Sequence, residues 1–96
     1  MGKKLKLDYK PRDEGVYALR ERLMADAAKR HRSYLQKRLK EDPRRKDVTN
    51  ESRIHTLELF FRSQWGQLLS GGIGETIIET DYEMAREATR KGLKVK

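Results

Sequence analysis

The stretch Ile54-His55-Thr56-Leu57-Glu58-Leu59-Phe60-Phe61-Arg62-Ser63-Gln64-Trp65-Gly66-Gln67-Leu68-Leu69 decides the fold class. Ile54, Leu57, Phe61, Trp65 and Leu68 recur at steps of 3, 4, 4 and 3. That spacing lines one face of an α-helix, because 3.6 residues complete a turn. It predicts a helix over about 51–69 that supplies the core through Leu57, Phe61, Trp65 and Leu68. Leu69 widens the stripe, and Phe60 falls at its edge, half exposed. Thr49 or Asn50 is the expected N-cap, with Glu51 in the first turn. Glu58 and Arg62, four residues apart, are expected to form a surface ion pair.

Toward the C-terminus, Ser70-Gly71-Gly72-Ile73-Gly74 interrupts this helix, and Gly71 or Gly72 can take the left-handed C-cap. A further helix follows over about 75–91. Glu75 and Glu79 suit the positive end of its dipole, and Arg86, Arg90 and Lys91 the negative end. Ile77, Ile78, Met84, Ala85 and Ala88 form its inner face; Gly92 stops it, and Leu93–Lys96 are expected to fray.

Toward the N-terminus, a helix is expected over about 13–41, capped by Asp13 and stopped by Pro43. Val16, Leu23, Ala27, His31 and Tyr34 share one side, and Tyr17, Met24, Ala28, Leu35 and Leu39 widen it. Arg22, Lys29, Ser33, Gln36 and Lys40 lie opposite. Residues 1–12 read as a mobile basic tail. The expectation is thus an all-α, three-helix domain over 13–92, with a long amphipathic first helix behind a basic N-terminal tail. At about 1.5 Å per residue that helix outruns so small a globule. Its end around Tyr34, Leu35 and Leu39 would then find its partner in a homodimer.

Composition limits the function. The 96 residues are 35% hydrophobic and 40% charged, which leaves a thin core. There is no cysteine, so neither disulfides nor thiolate metal sites are available. The absence of any apolar run of about 18 residues argues against a membrane span, and nothing apolar follows the charged start to make a secretory signal. A cytoplasmic protein is the expectation.

The net charge of +8 is segregated: residues 1–48 hold 16 basic and 8 acidic side chains, and residues 49–96 hold 7 of each. Such asymmetry attracts polyanions through long-range potential and counterion release. Nucleic acid is the expected partner, bound mainly through phosphates by Lys29, Arg32, Lys37, Lys40, Arg44, Arg45 and Lys46. Tyr17, Tyr34 and Phe60 could stack on bases, but their place in apolar stripes points to packing. A protein-interaction module with an acidic partner, and a helical assembly subunit, are the alternatives.

Other constellations are weaker. A helix-turn-helix reading would make the last helix the recognition helix, yet Glu75, Glu79, Asp81, Glu83 and Glu87 there repel phosphate. The glycine cluster lacks a P-loop's spacing and its Lys-Ser/Thr pair. His55 and Glu58 make at most half a metal site. No catalytic set, metal or cofactor is expected. His31 and Asp81 each break an apolar stripe. They meet, or Asp81 receives Arg20 or Arg38, or the last helix is rotated and leaves Asp81 in water.

The run Leu57–Trp65, followed by Leu68-Leu69, a glycine and Ile77-Ile78, resembles a pattern in small prophage-encoded proteins of Gram-positive bacteria. The resemblance covers residues 54–78 and includes a basic helical segment ahead of the aromatic run. It implies a mobile-element origin and transfers no functional residue.

Overall fold

The computed structural model describes the backbone of residues 9–96 and the side chains of residues 19–96. The described chain is helical, in the order α1 (Tyr9–Lys40), α2 (Val48–Arg62), α3 (Gln64–Ser70) and α4 (Gly74–Arg90), with no strand among the described residues. None of these helices is long and apolar enough to cross a membrane.

α1 starts at Tyr9 rather than near residue 13. Pro11 falls in its first turn, where a missing N–H costs no helical hydrogen bond. The rest of the expected basic tail, residues 1–8, lies outside the described residues. At the other end Pro43 ends the helix as expected, and the Arg45 amide bonds the Asp42 carbonyl at 2.9 Å to turn the chain.

α2 begins at Val48, because Asp47 and not Thr49 or Asn50 is the N-cap: its carboxylate accepts from the Asn50 amide at 3.0 Å. The expected single helix over 51–69 is two helices. Ser63 is extended, with φ −70° and ψ 163°, and its hydroxyl caps α3 by accepting from the Gly66 amide at 3.0 Å. The break lets α3 and α4 fold tightly onto α2. A Cβ on Gly66 would lie 1.9 Å from the Phe60 carbonyl oxygen, and one on Gly74 would lie 2.1 Å from that of Phe61. Only glycine permits either approach. α3 then ends at Gly71 in the left-handed conformation, φ 75°, as the sequence suggested.

The break also redirects the apolar stripe. Ile54 and Phe61 are buried and Leu57 is half-buried, but Trp65 is 59% exposed and Leu68 63% exposed. Neither belongs to the core that the periodicity assigned it. Met84 likewise turns partly outward, and α4 buries Gly74, Ile78, Asp81 and Ala85 instead.

α2 returns antiparallel along α1, α3 packs against both, and α4 then runs parallel to α1, packed on both α1 and α2. The interior has two apolar layers. One joins Met24 and Ala28 of α1 to Phe61 and Ile78; the other joins Leu35 to Ile54 and Ala85. Leu35 is therefore covered within the monomer, against the expectation that this end of α1 needs a second copy, while Leu39 remains exposed. Leu23, placed in the centre of the first helix's stripe, is exposed, and Met24, Ala28, His31 and Leu35 are the true inner line.

The C-terminal segment does not fray. Gln36, expected on the outer face, is buried; it donates to the Leu93 carbonyl at 2.7 Å and accepts from the Val95 amide at 2.9 Å. Val95 is buried by this clamp.

Candidate nucleic-acid interface

Between the two apolar layers lies a polar one, and it sorts the cations into spent and available. His31 is fully buried. Its Nδ1 lies 2.8 Å from the Asp81 carboxylate of α4 and its Nε2 2.8 Å from the Glu58 carboxylate of α2. Two ring nitrogens facing two carboxyl groups make two hydrogen bonds only if two protons lie among the three groups. The Phe61 and Tyr82 rings stand edge-on to the imidazole at 5.6 and 5.8 Å. Tyr82 donates its hydroxyl to Glu58 at 2.9 Å and accepts from Arg38 at 3.1 Å. Asp81 therefore meets His31, one of the arrangements its sequence position allowed, and receives Arg32 rather than Arg20 or Arg38.

This layer consumes two cations of α1. Arg32, counted from sequence among the phosphate contacts, donates to Asp81 at 3.0 Å and to the Lys96 carbonyl at 2.6 Å. Its guanidinium is directed inward and away from the outer face. Arg38 bridges Tyr82 and Glu51. Burial works against its charge, but the hydrogen bonds to Tyr82 and Glu51 outweigh that and raise its pKa above the ordinary guanidinium value.

The remaining predicted contacts are exposed. Lys29 points outward from the middle of α1, Lys37 and Lys40 from its last turns, and Arg44, Arg45 and Lys46 follow in the α1–α2 connection. Lys37 pairs with Asp47 at 3.1 Å. No ion pair among the described residues engages Lys29, Lys40, Arg44, Arg45 or Lys46. Because α1 and α4 run parallel, their C-termini share one end of the molecule. Lys94 joins Lys37 and Lys40 around a hollow also lined by Ser33, Gln36 and the single carboxylate Glu41. Sequence reasoning missed Lys94 by treating the C-terminus as frayed; the Gln36 clamp is what brings it here. The cationic group also complements the negative ends of two helix dipoles.

The opposite end is electrically balanced. Arg62 pairs with Glu75 at 2.9 Å and not with Glu58, which the buried layer has taken. The Arg62 hydrogen bond holds the Glu75 carboxyl below the usual carboxylate range. At the cationic end, in the last turns of α4, Glu87 is likewise lowered, by Arg90 first and then Lys91.

Two of the three aromatic residues considered for stacking are occupied. Tyr34 is half-buried with the Arg53 guanidinium 5.7 Å above its ring, and Phe60 packs on Phe61. The Tyr17 side chain lies outside the described residues. His55 is exposed and Glu58 is turned inward, so the half metal site does not assemble, and no group of three metal-ligating side chains exists among the described residues. Comparison with protein-family models, with curated proteins and with solved structures finds no match to this chain.

Proposed function

We propose that the protein is a non-enzymatic nucleic-acid-binding accessory protein, of the kind mobile elements carry, that grips the phosphate backbone with little regard for sequence. One observation carries the reading: Lys40, Arg44, Arg45 and Lys46 are exposed, with Lys94 near Lys40, while Arg32 and Arg38 are paired with carboxylates. Cations held together on one pole release counterions together when a phosphate chain docks. Tyr34 and Phe60 are occupied and the charge is concentrated, so affinity should rest on charge and fall steeply with salt. The test is a gel shift with generic duplex and single-stranded oligonucleotides at about 50 mM salt, where a patch of this density binds non-specifically. Retention of either oligonucleotide is expected; free migration of both overturns the reading.

A second reading, contact with an acidic protein, draws on a shallow hollow of about 730 Å³ between α4 and the C-terminal segment. Met84, Ala88 and Leu93 line it beside Arg86, Lys94 and Lys96. Equal binding of a polyglutamate peptide and an oligonucleotide of matched charge would favour it.

A further inference from the structure

We propose that the polar layer between the two apolar ones is a proton-held lock: folding captures one proton at His31, and the fold loosens as pH rises and that proton leaves. The ring's Nδ1 lies 2.8 Å from Asp81 and its Nε2 2.8 Å from Glu58, so the two hydrogen bonds need two protons among the three groups. Neither carboxyl group is suited to hold the second one. Asp81 also accepts from Arg32 at 3.0 Å, and Glu58 also accepts from the Tyr82 hydroxyl at 2.9 Å. A carboxyl that receives two donors is favoured in its ionised form. The second proton therefore sits on the imidazole, which donates from both nitrogens.

Charge balance leads to the same place. The charged groups of the layer come from three helices: Arg32 and Arg38 from α1, Glu51 and Glu58 from α2, and Asp81 from α4, with the Tyr82 hydroxyl between Glu58 and Arg38. α3 carries no ionisable side chain, and the C-terminal segment offers the Lys96 carbonyl while its Lys94 and Lys96 are exposed. Arg62 feels the Glu58 charge but is already paired with Glu75. Three carboxylates thus meet two guanidinium groups, and an imidazolium makes the layer neutral. Burial alone would strip the charge from a ring with no exposed surface. Here a neutral ring, with one N–H, would leave one carboxylate without its donor and the layer with an uncompensated negative charge, which is itself costly in a buried site. The same bonds tie α1 to α2 and α4, and Arg32 extends the tie to the C-terminal segment, so the proton holds all four together.

In the unfolded chain an imidazole gives up its proton near pH ~6.5. Above that pH the folded chain holds one proton more than the unfolded chain, so this contribution is complete below about pH 6.5 and is lost as pH rises. The unfolding equilibrium constant should then climb by up to ~10-fold per pH unit. The test is urea unfolding of the full chain, followed by circular dichroism from about pH 6 to about pH 8.5, together with nitrogen NMR of the histidine rings in the folded chain at about pH 7.5. Both ring nitrogens of His31 are expected to carry protons there, and the unfolding constant to rise with pH. His55 is exposed, so His55→Gln should keep that rise, whereas His31→Gln should flatten it. A His31 ring with a single N–H at that pH overturns the proposal, as does a flat wild-type constant or a rise that His31→Gln retains. The ring spectrum and the wild-type curve decide the matter if His31→Gln does not fold. The outcome is independent of nucleic-acid binding.

Discussion

The imidazole of His31 in α1 holds the Asp81 carboxylate of α4 at 2.8 Å, with both side chains buried. It fixes the register of the two longest helices and shares Asp81 with Arg32. Removing Asp81 leaves Nδ1 of the buried imidazole and one arm of the half-buried Arg32 guanidinium unpaired, although Glu58 and the Lys96 carbonyl remain. Breaking one side of a buried ionic group costs about 3–5 kcal/mol, more than the net worth of the pair. Asp81→Leu should therefore lower the urea midpoint severely, and His31→Leu in the same chain should recover part of the loss. Additive losses in this double-mutant cycle would show that the two side chains do not support each other.

The two close-approach glycines give a sharper contrast. Gly66→Ala and Gly74→Ala each drive a methyl group into a backbone carbonyl, at 1.9 and 2.1 Å. Backbone cannot move aside as a side chain does, so each should cost about 2–3 kcal/mol in thermal unfolding. Gly71→Ala meets nothing within 4 Å and carries only the left-handed φ of 75°, a penalty of about 1–2 kcal/mol. If Gly71→Ala proved the most damaging of the three, the tight packing of α3 and α4 on α2 would be wrong.

These glycines also show why the core was only partly legible in the sequence. The 3–4 spacing from Ile54 to Leu68 is genuinely helical, and the all-helical class followed from it. What the spacing could not register is that Ser63 offers its hydroxyl to the next helix's amide at the one point where Gly66 allows a close turn. The stripe is cut there, and Trp65 and Leu68 turn to solvent. Met84, placed inside, is displaced because Asp81 takes the inner line of α4 once His31 and Arg32 satisfy it. Gln36 and Lys94 depended on a contact between residues about 60 apart, which no local pattern contains. The exposed run Lys40–Lys46 was visible because lysine and arginine stay outside unless a carboxylate recruits them; Arg32 was recruited, and only the fold reveals it.

The α1–α2 corner should respond to acid. The Asp47 carboxyl is held below its ordinary value, by the Asn50 amide first and by Lys37 second. A carboxyl depressed in the folded state stabilises it above the unfolded-state value, and that contribution is lost as pH falls through the folded-state value. Glu75 and Glu87 carry the same sign. The melting temperature should thus decline as pH drops below the ordinary carboxylate range. Asp47→Asn keeps a competent cap but does not titrate, so its difference from the wild type should shrink in that range. A constant difference would show that Asp47 contributes nothing pH-dependent.

The charge of the cationic pole is tested most directly by the salt dependence of oligonucleotide affinity, followed by fluorescence anisotropy on the wild type and on Lys40→Glu/Arg44→Glu/Arg45→Glu/Lys46→Glu. About five phosphate contacts give a slope near −4 to −5 in log affinity against log salt for duplex. The quadruple variant, with unchanged circular dichroism, should lose most of its affinity and most of that slope. An equal affinity and slope in the two proteins would contradict the account, because polyanion binding would then owe nothing to the end of the molecule where these cations gather.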